Sequence, residues 1–154
     1  MSRRAQIVMT DEEVAAFLAE ERVVTVATLG PGGRPHLAPL WYVPEGAVLR
    51  GWTYGSSQKV ANLRRLAQAT LLVEAGDSYE LLRGVSLECD VEVVDAPERV
   101  AAIGVDVLTR YAGSPEVAAS ATQFVRVQAA KRVGLVFTPT KVVSWDHRKL
   151  DGGY

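Results

Sequence analysis

From Val23 to Tyr54 the chain runs through three extended stretches with nothing between them but two short turns, both marked by glycine. Val23 to Leu29 is rich in β-branched residues, Gly30-Pro31-Gly32-Gly33 reverses the chain, and His36 to Val43 returns. Glu45-Gly46 then turns it into Val48 to Tyr54. Parallel neighbours need a crossover of roughly a dozen residues or more, usually a helix, so this spacing dictates an antiparallel meander. Pro39 within the second run removes a ladder donor, which places that run at an edge or a bulge.

The remaining elements fit around this meander. Thr10 and Glu13 have capping-box spacing, and Val14, Phe17 and Leu18 give the helix behind them one apolar stripe. Two serines precede a second helix, Gln58 to Leu66, with Val60, Leu63 and Ala67 on its buried side. Ala69 to Ala75 reads as a fourth strand and Tyr79 to Val94 as a long fifth, alternating clearly from Val85 to Val93. Asp95, with Glu98 three residues on, reads as the cap of a third helix lined by Val100, Ile103, Val107 and Tyr111. Gly113 stops it, and Ser114-Pro115-Glu116 opens another that ends near Ala130. A last strand, Val133 to Trp145, is expected to break or bend at Thr138-Pro139-Thr140, before a charged tail and a glycine-rich end. Six strands in this order suit a mainly β, α+β fold: a strongly curled antiparallel barrel with flanking helices, whose closure removes exposed edges. The whole chain, 1–154, reads as one domain with its core at about 14–145.

Composition narrows the function. With 17 Lys and Arg against 18 Asp and Glu, and no dense basic stripe, nothing draws the chain to nucleic acid. The start, MSRRAQIVMTDEE, lacks the apolar core of a signal peptide, and no segment has the length to span a bilayer. A soluble, cytoplasmic protein is expected. The single cysteine forbids an internal disulfide, and His36 and His147 are isolated, so no metal site is expected. Cys89 falls in the apolar register of its strand and reads as a buried structural thiol. The turn GPGGR leads from strand to strand, so it is neither a P-loop nor a dinucleotide fingerprint.

The segment RGWTYGSSQKVAN, Arg50 to Asn62, carries the chemistry. A strand ends in aromatics and a threonine, and hydroxyls and a lysine open the next helix. Helix-start N–H groups with Thr53, Ser56, Ser57 and Lys59 make a phosphate cradle; a plain serine cap beside a solvated lysine accounts for the same letters. Both readings stand. Trp41 and Trp52, on neighbouring strands, offer either flat walls for a conjugated ring or core and interface packing.

Four blocks in order, TVATLGPGGRPHLAPLWYV, GWTYGSSQKVANLRR, ATLLVEAG and LLRGVSLECDVEVV, resemble the pyridoxamine 5'-phosphate oxidase-like split β-barrel flavoproteins. The similarity covers roughly Val14 to Trp145 and is strongest to their actinobacterial branch that uses the deazaflavin F420. It implies an FMN-binding type of split barrel, a homodimer with cofactor at the subunit interface, and a small-molecule substrate. Carried over by position, Pro39, Leu40 and Trp41 would line the ring. Trp52, Thr53, Ser57 and Lys59 would hold the phosphate, with Asn62 close by. Trp145 and His147 would close the pocket from the partner subunit. An F420 tail, lactyl and oligoglutamate, would call for a basic groove from Arg50, Lys59, Arg64 and Arg65. The activity implied is hydride transfer between F420 and a small conjugated acceptor. FMN is the alternative cofactor, and a non-catalytic carrier of a flavin-like or haem-like ligand or a ligand-free interaction dimer are alternative functions. Tyr54 and His147 are candidate proton donors, and no residue is assigned a catalytic role.

Overall fold

The computed structural model describes residues 1–150; the glycine-rich end lies outside them. A short helix α1 (Arg3–Gln6) precedes α2 (Asp11–Glu20). Both halves of the α2 capping box form: Thr10 Oγ1 accepts from the Glu13 N–H, and Glu13 accepts from the Thr10 N–H. The meander follows as β1 (Val23–Leu29), β2 (Pro35–Trp41), β3 (Val43–Glu45) and β4 (Val48–Tyr54). Then come α3 (Gln58–Arg65), β5 (Gln68–Ala75), β6 (Arg83–Val94), α4 (Pro97–Tyr111), α5 (Pro115–Ala129) and β7 (Arg132–Asp146).

All seven strands join one antiparallel sheet in the order β2-β1-β5-β6-β7-β4-β3. The sheet rolls up until its ends meet without pairing. A Cβ on Gly51 of β4 would lie 2.9 Å from Leu40 Cδ2 and 3.0 Å from the Trp41 carbonyl on β2. That approach, close but unladdered, makes the barrel split. β2 is an outermost strand, as its proline required.

The strand count is seven where the sequence suggests six, because the run from His36 to Val43 is interrupted at Tyr42. Its backbone groups leave the ladder for α4: the Tyr42 N–H donates to the Tyr111 hydroxyl at 3.1 Å, and its carbonyl accepts from Arg110 at 2.6 Å. The Tyr42 ring is fully buried and its hydroxyl donates to the Leu18 carbonyl at 2.7 Å. The start of the expected long strand is also different: Tyr79–Leu81 forms a 3-10 turn, and β6 begins at Arg83. Asp95 does not cap α4. Its carboxylate takes both guanidinium nitrogens of Arg64, and Ala96 stands at the helix start ahead of Pro97. β7 is continuous, with the bend at Pro139 absorbed as a bulge opposite Glu88 and Cys89, where Thr140 donates to the Glu88 carbonyl.

Two cores hold these layers. The barrel interior is filled by Val24, Val26, Leu49, Leu71, Leu87, Leu135 and Phe137, closed by Phe17 and Leu18 of α2 and Val60 and Leu63 of α3. A second core lies on the other face of β4 and β7, where Trp52, Val94, Val100, Ile103, Val107 and Val125 pack under α4 and α5. Among the described residues no helix is long and apolar enough to cross a membrane.

Candidate functional site at the β4–α3 corner

Strand alternation sorts the β4 side chains onto two faces. Leu49 enters the barrel core and Gly51 lies under Leu40, while Thr53 meets Lys59. Arg50 and Trp52 point the other way. Trp52 lies in the second core, where a Cβ on Gly104 of α4 would come within 2.5 Å of its ring. Arg50 pairs with Asp106 of α4 at 3.1 Å. Of the residues proposed to hold a phosphate, Lys59 meets Thr53 and Ser57 opens the same helix, whereas Trp52 lies behind the strand, and Arg50, proposed for the cofactor tail, lies on that side too.

Lys59 is the unusual member of this corner. It is 9% exposed, and its Nζ donates to the neutral Thr53 Oγ1 at 2.8 Å. Among the described residues no carboxylate pairs with it. Burial pushes the ammonium below the ordinary lysine range. Two residues earlier, Ser57 stands at the start of α3 without capping it, and its buried Oγ has no partner. A buried cation without a counter-ion and a buried hydroxyl without a bond are both costly unless an anion completes them. The N–H groups of a helix's first turn add a third source of positive potential. The corner thus fits a phosphate group.

Asn62 is nearby but already engaged. Fully buried, it donates to Thr28 Oγ1 at 3.1 Å and accepts from Gln58 Nε2 at 2.8 Å, tying α3 to β1. The proposed ring wall divides as well. Leu40 turns inward over Gly51, whereas Pro39 and Trp41 are exposed on the outer side of β2. Trp41 lies flat on Tyr111, ring centroids 4.4 Å apart and planes 5° from parallel. Within one chain Trp145 is remote from the corner. It rests on Gly84 near the end of β7, whereas Arg132, at the start of that strand, pairs with Tyr54. His147 is held by its Nδ1, 2.8 Å from the Tyr79 carbonyl.

The basic groove suggested by the sequence is largely neutralised. Arg50 is held by Asp106 and Arg64 by Asp95, while Arg65 donates to the Leu29 carbonyl. Cys89 is buried as expected, its thiol pushed up to about 12 by burial. It borders a surface cavity of about 370 Å³ that contains none of Thr53, Ser57 and Lys59.

Sequence reasoning placed Tyr111 only on the apolar side of its helix and missed Arg110 and Arg132. Arg110 donates to the Leu18, Ala19 and Glu21 carbonyls at the end of α2 and to the Tyr42 carbonyl, fixing the break between β2 and β3. Arg132 lies over the rings of Tyr54 and Trp52 at 4.1 and 4.6 Å. The basic residue at a strand start was the available signal, but its aromatic neighbours depend on register.

A family model for pyridoxamine 5'-phosphate oxidase matches residues 10–146. The chain belongs to the pyridoxamine 5'-phosphate oxidase family. Among solved structures, the conserved hypothetical protein Rv2991 of Mycobacterium tuberculosis is 39% identical, with a TM-score of 0.86 over 100% of this chain and 96% of its own. An F420 reductase is 24% identical, TM-score 0.64, covering 82% of this chain and 93% of its own. HutZ, a haem storage protein from Vibrio cholerae, is 14% identical, TM-score 0.65, covering 86% and 93%. Curated proteins yield no match. The last two likenesses show the fold alone, and one fold serving a deazaflavin enzyme and a haem store leaves the ligand to be argued from the site.

Proposed function

We propose that this member of the family is a cytoplasmic, homodimeric F420-dependent oxidoreductase that passes a hydride between the deazaflavin and a small conjugated organic acceptor. The observation that carries the reading is the buried Lys59 ammonium, bonded to a neutral hydroxyl, in a helix whose N-cap residue Ser57 has a buried and unpartnered Oγ. When bound, the cofactor would supply the hydride chemistry. The chain's own part is to bind and orient. Lys59, Ser57, Thr53 and the first turn of α3 hold the phosphate, and Trp41, immobilised on Tyr111, gives a flat apolar surface.

The dimer is supported by the outer side of β1 and β2, where Val23, Leu29, Leu37 and Trp41 are 41 to 66% exposed on an edge of the sheet. Monomers rarely leave so many large apolar side chains together in water. F420 is preferred to FMN because the four sequence blocks resemble the deazaflavin branch of the family.

Fluorescence titration of the purified protein with F420 and with FMN tests the reading. Saturable F420 binding, weaker FMN binding, and at least a tenfold loss of F420 affinity in Lys59→Met are expected. Preferential FMN binding moves the protein to the flavin branch, and an unchanged affinity in Lys59→Met removes the phosphate assignment.

A further inference from the structure

Helix α5 has two apolar sides, and the fold uses one of them. Val125 is fully buried in the second core, with Ala129 packed against that core. The other side carries Val117, Phe124 and Val127, which are 53 to 60% exposed. Of the 15 residues of this helix only Glu116 and Arg126 are charged, so it lacks the charged face that keeps an ordinary surface helix in water.

The exposed side has the pattern of a helix–helix seam. Val117, Ser120, Phe124 and Val127 recur at intervals of three, four and three residues, the spacing of positions that meet a partner helix. Ser120 is the polar member, and its hydroxyl already donates to the Val117 carbonyl at 2.9 Å. Covering it therefore strands no donor. The seam is also complementary to itself. An antiparallel copy related by a two-fold axis at Thr122 sets Val117 against Val127 and the large Phe124 against the small Ser120. Glu116 of each copy then lies at the end that carries Lys131 of the other, and neither residue has an ion-pair partner among the described residues. A parallel pair would set like charges together at both ends, so charge selects the antiparallel arrangement.

We propose that the outer face of α5 binds the same face of a second copy of this chain, as an antiparallel helix pair centred on Thr122. The contact uses none of Val23, Leu29, Leu37 and Trp41, so it is a second interface beside the one proposed on β1 and β2, and it is independent of any cofactor. Three large apolar side chains from each copy, on a helix about 22 Å long, cover less than the roughly 800 Å² per partner of a standard stable interface. The association is therefore reversible, with half-saturation on the order of 10–100 μM.

Sedimentation velocity of the full chain, from about 1 μM to about 300 μM across that range, is the experiment. The mass of the smallest wild-type species should double as concentration rises. Phe124→Glu should hold it at the smaller mass at every concentration, with helix content and melting temperature unchanged; Val127→Lys serves as a second variant with the same expected result. Phe124→Ser should also abolish the doubling, and Ser120→Phe added to it should restore the doubling, because the exchange again sets one large side chain against one small one. No doubling in wild type, or undiminished doubling in both Phe124→Glu and Val127→Lys, overturns the interface. A loss in Phe124→Ser that the exchange does not restore overturns the pairing about Thr122.

Discussion

The indole of Trp41 lies flat against the phenol ring of Tyr111, 4.4 Å between centroids and 5° from parallel, although 51% of Trp41 is exposed. The contact joins the last residue of the edge strand to the last residue of α4. Tyr111 is itself fixed: its hydroxyl donates to the Arg22 carbonyl at 2.5 Å and accepts from Arg110 at 2.7 Å and from the Tyr42 N–H at 3.1 Å. An otherwise mobile surface tryptophan is thereby given one orientation. This is the preorganisation a flat ligand surface needs.

Tyr111→Phe separates the two parts of this arrangement. The ring stays, but the Tyr42 N–H and the Arg110 guanidinium lose an acceptor, and about 1–3 kcal/mol of stability should go with it. Tyr111→Ala removes the stack as well and should cost more, together with a rise in Trp41 mobility. Urea denaturation and tryptophan anisotropy, compared with Trp41→Phe as background, measure both. Equal stability of Tyr111→Phe and wild type would mean that the hydroxyl network carries no weight.

Lys59 sets a pH dependence whose two signs oppose each other. Its folded pKa is lowered by burial relative to the unfolded chain. Between the folded and unfolded values the unfolded state holds more protons, so the ligand-free protein gains stability as pH rises through that window. Phosphate binding needs the ammonium, so cofactor affinity should decline over the same alkaline window, beginning below the ordinary lysine range. Titrations across that range in wild type and Lys59→Arg check this. The arginine variant, always charged, should bind with a flatter profile, and parallel profiles would disconnect Lys59 from the anion.

Much of the fold was legible because local rules and tertiary structure agree. The Thr10–Glu13 box, the bounds of β1 and β4, and the edge position of Pro39 all follow from short-range chemistry. Two of the errors share one origin, a group claimed by a distant element. Asp95 was free to cap α4 until Arg64 took it, and Tyr42 would have continued its strand without Arg110 and Tyr111. The candidate site was readable as a segment but not as a surface. Alternation alone puts Trp52 and Thr53 on opposite faces, yet which face meets α3 depends on where α4 packs.

Cys89 should be inert in the folded protein. It is buried, its thiol is raised to about 12 by burial and by the neighbouring Asp90, and its Sγ is 3.8 Å from the Leu87 carbonyl. Thiolate is the reactive form, so a disulfide reagent at neutral pH should label it only at the rate of unfolding. Cys89→Ala should cost about 1 kcal/mol through a small cavity and leave cofactor binding unchanged. Rapid labelling under native conditions would show that the cavity beside it opens to solvent.

Gly104 and Trp52 provide the sharpest test of the second core. In the interior of α4 a glycine is about 1 kcal/mol worse than alanine, so Gly104→Ala ought to stabilise an unobstructed helix. Here the new methyl would come 2.5 Å from Cζ3 and 2.7 Å from Cε3 of the Trp52 indole, and the ring is 7% exposed with little room to retreat. Overpacking of this kind costs about 1–3 kcal/mol, enough to cancel or exceed the gain in helix propensity. Gly104→Ala should therefore destabilise the protein or at best leave it unchanged, and shift Trp52 emission. Adding the same change to a Trp52→Phe background should reverse the sign, because the smaller ring vacates the contact and the propensity term survives. Additive effects of the two substitutions would mean that the indole does not lie against Gly104, and that Trp52 is free to serve the phosphate corner.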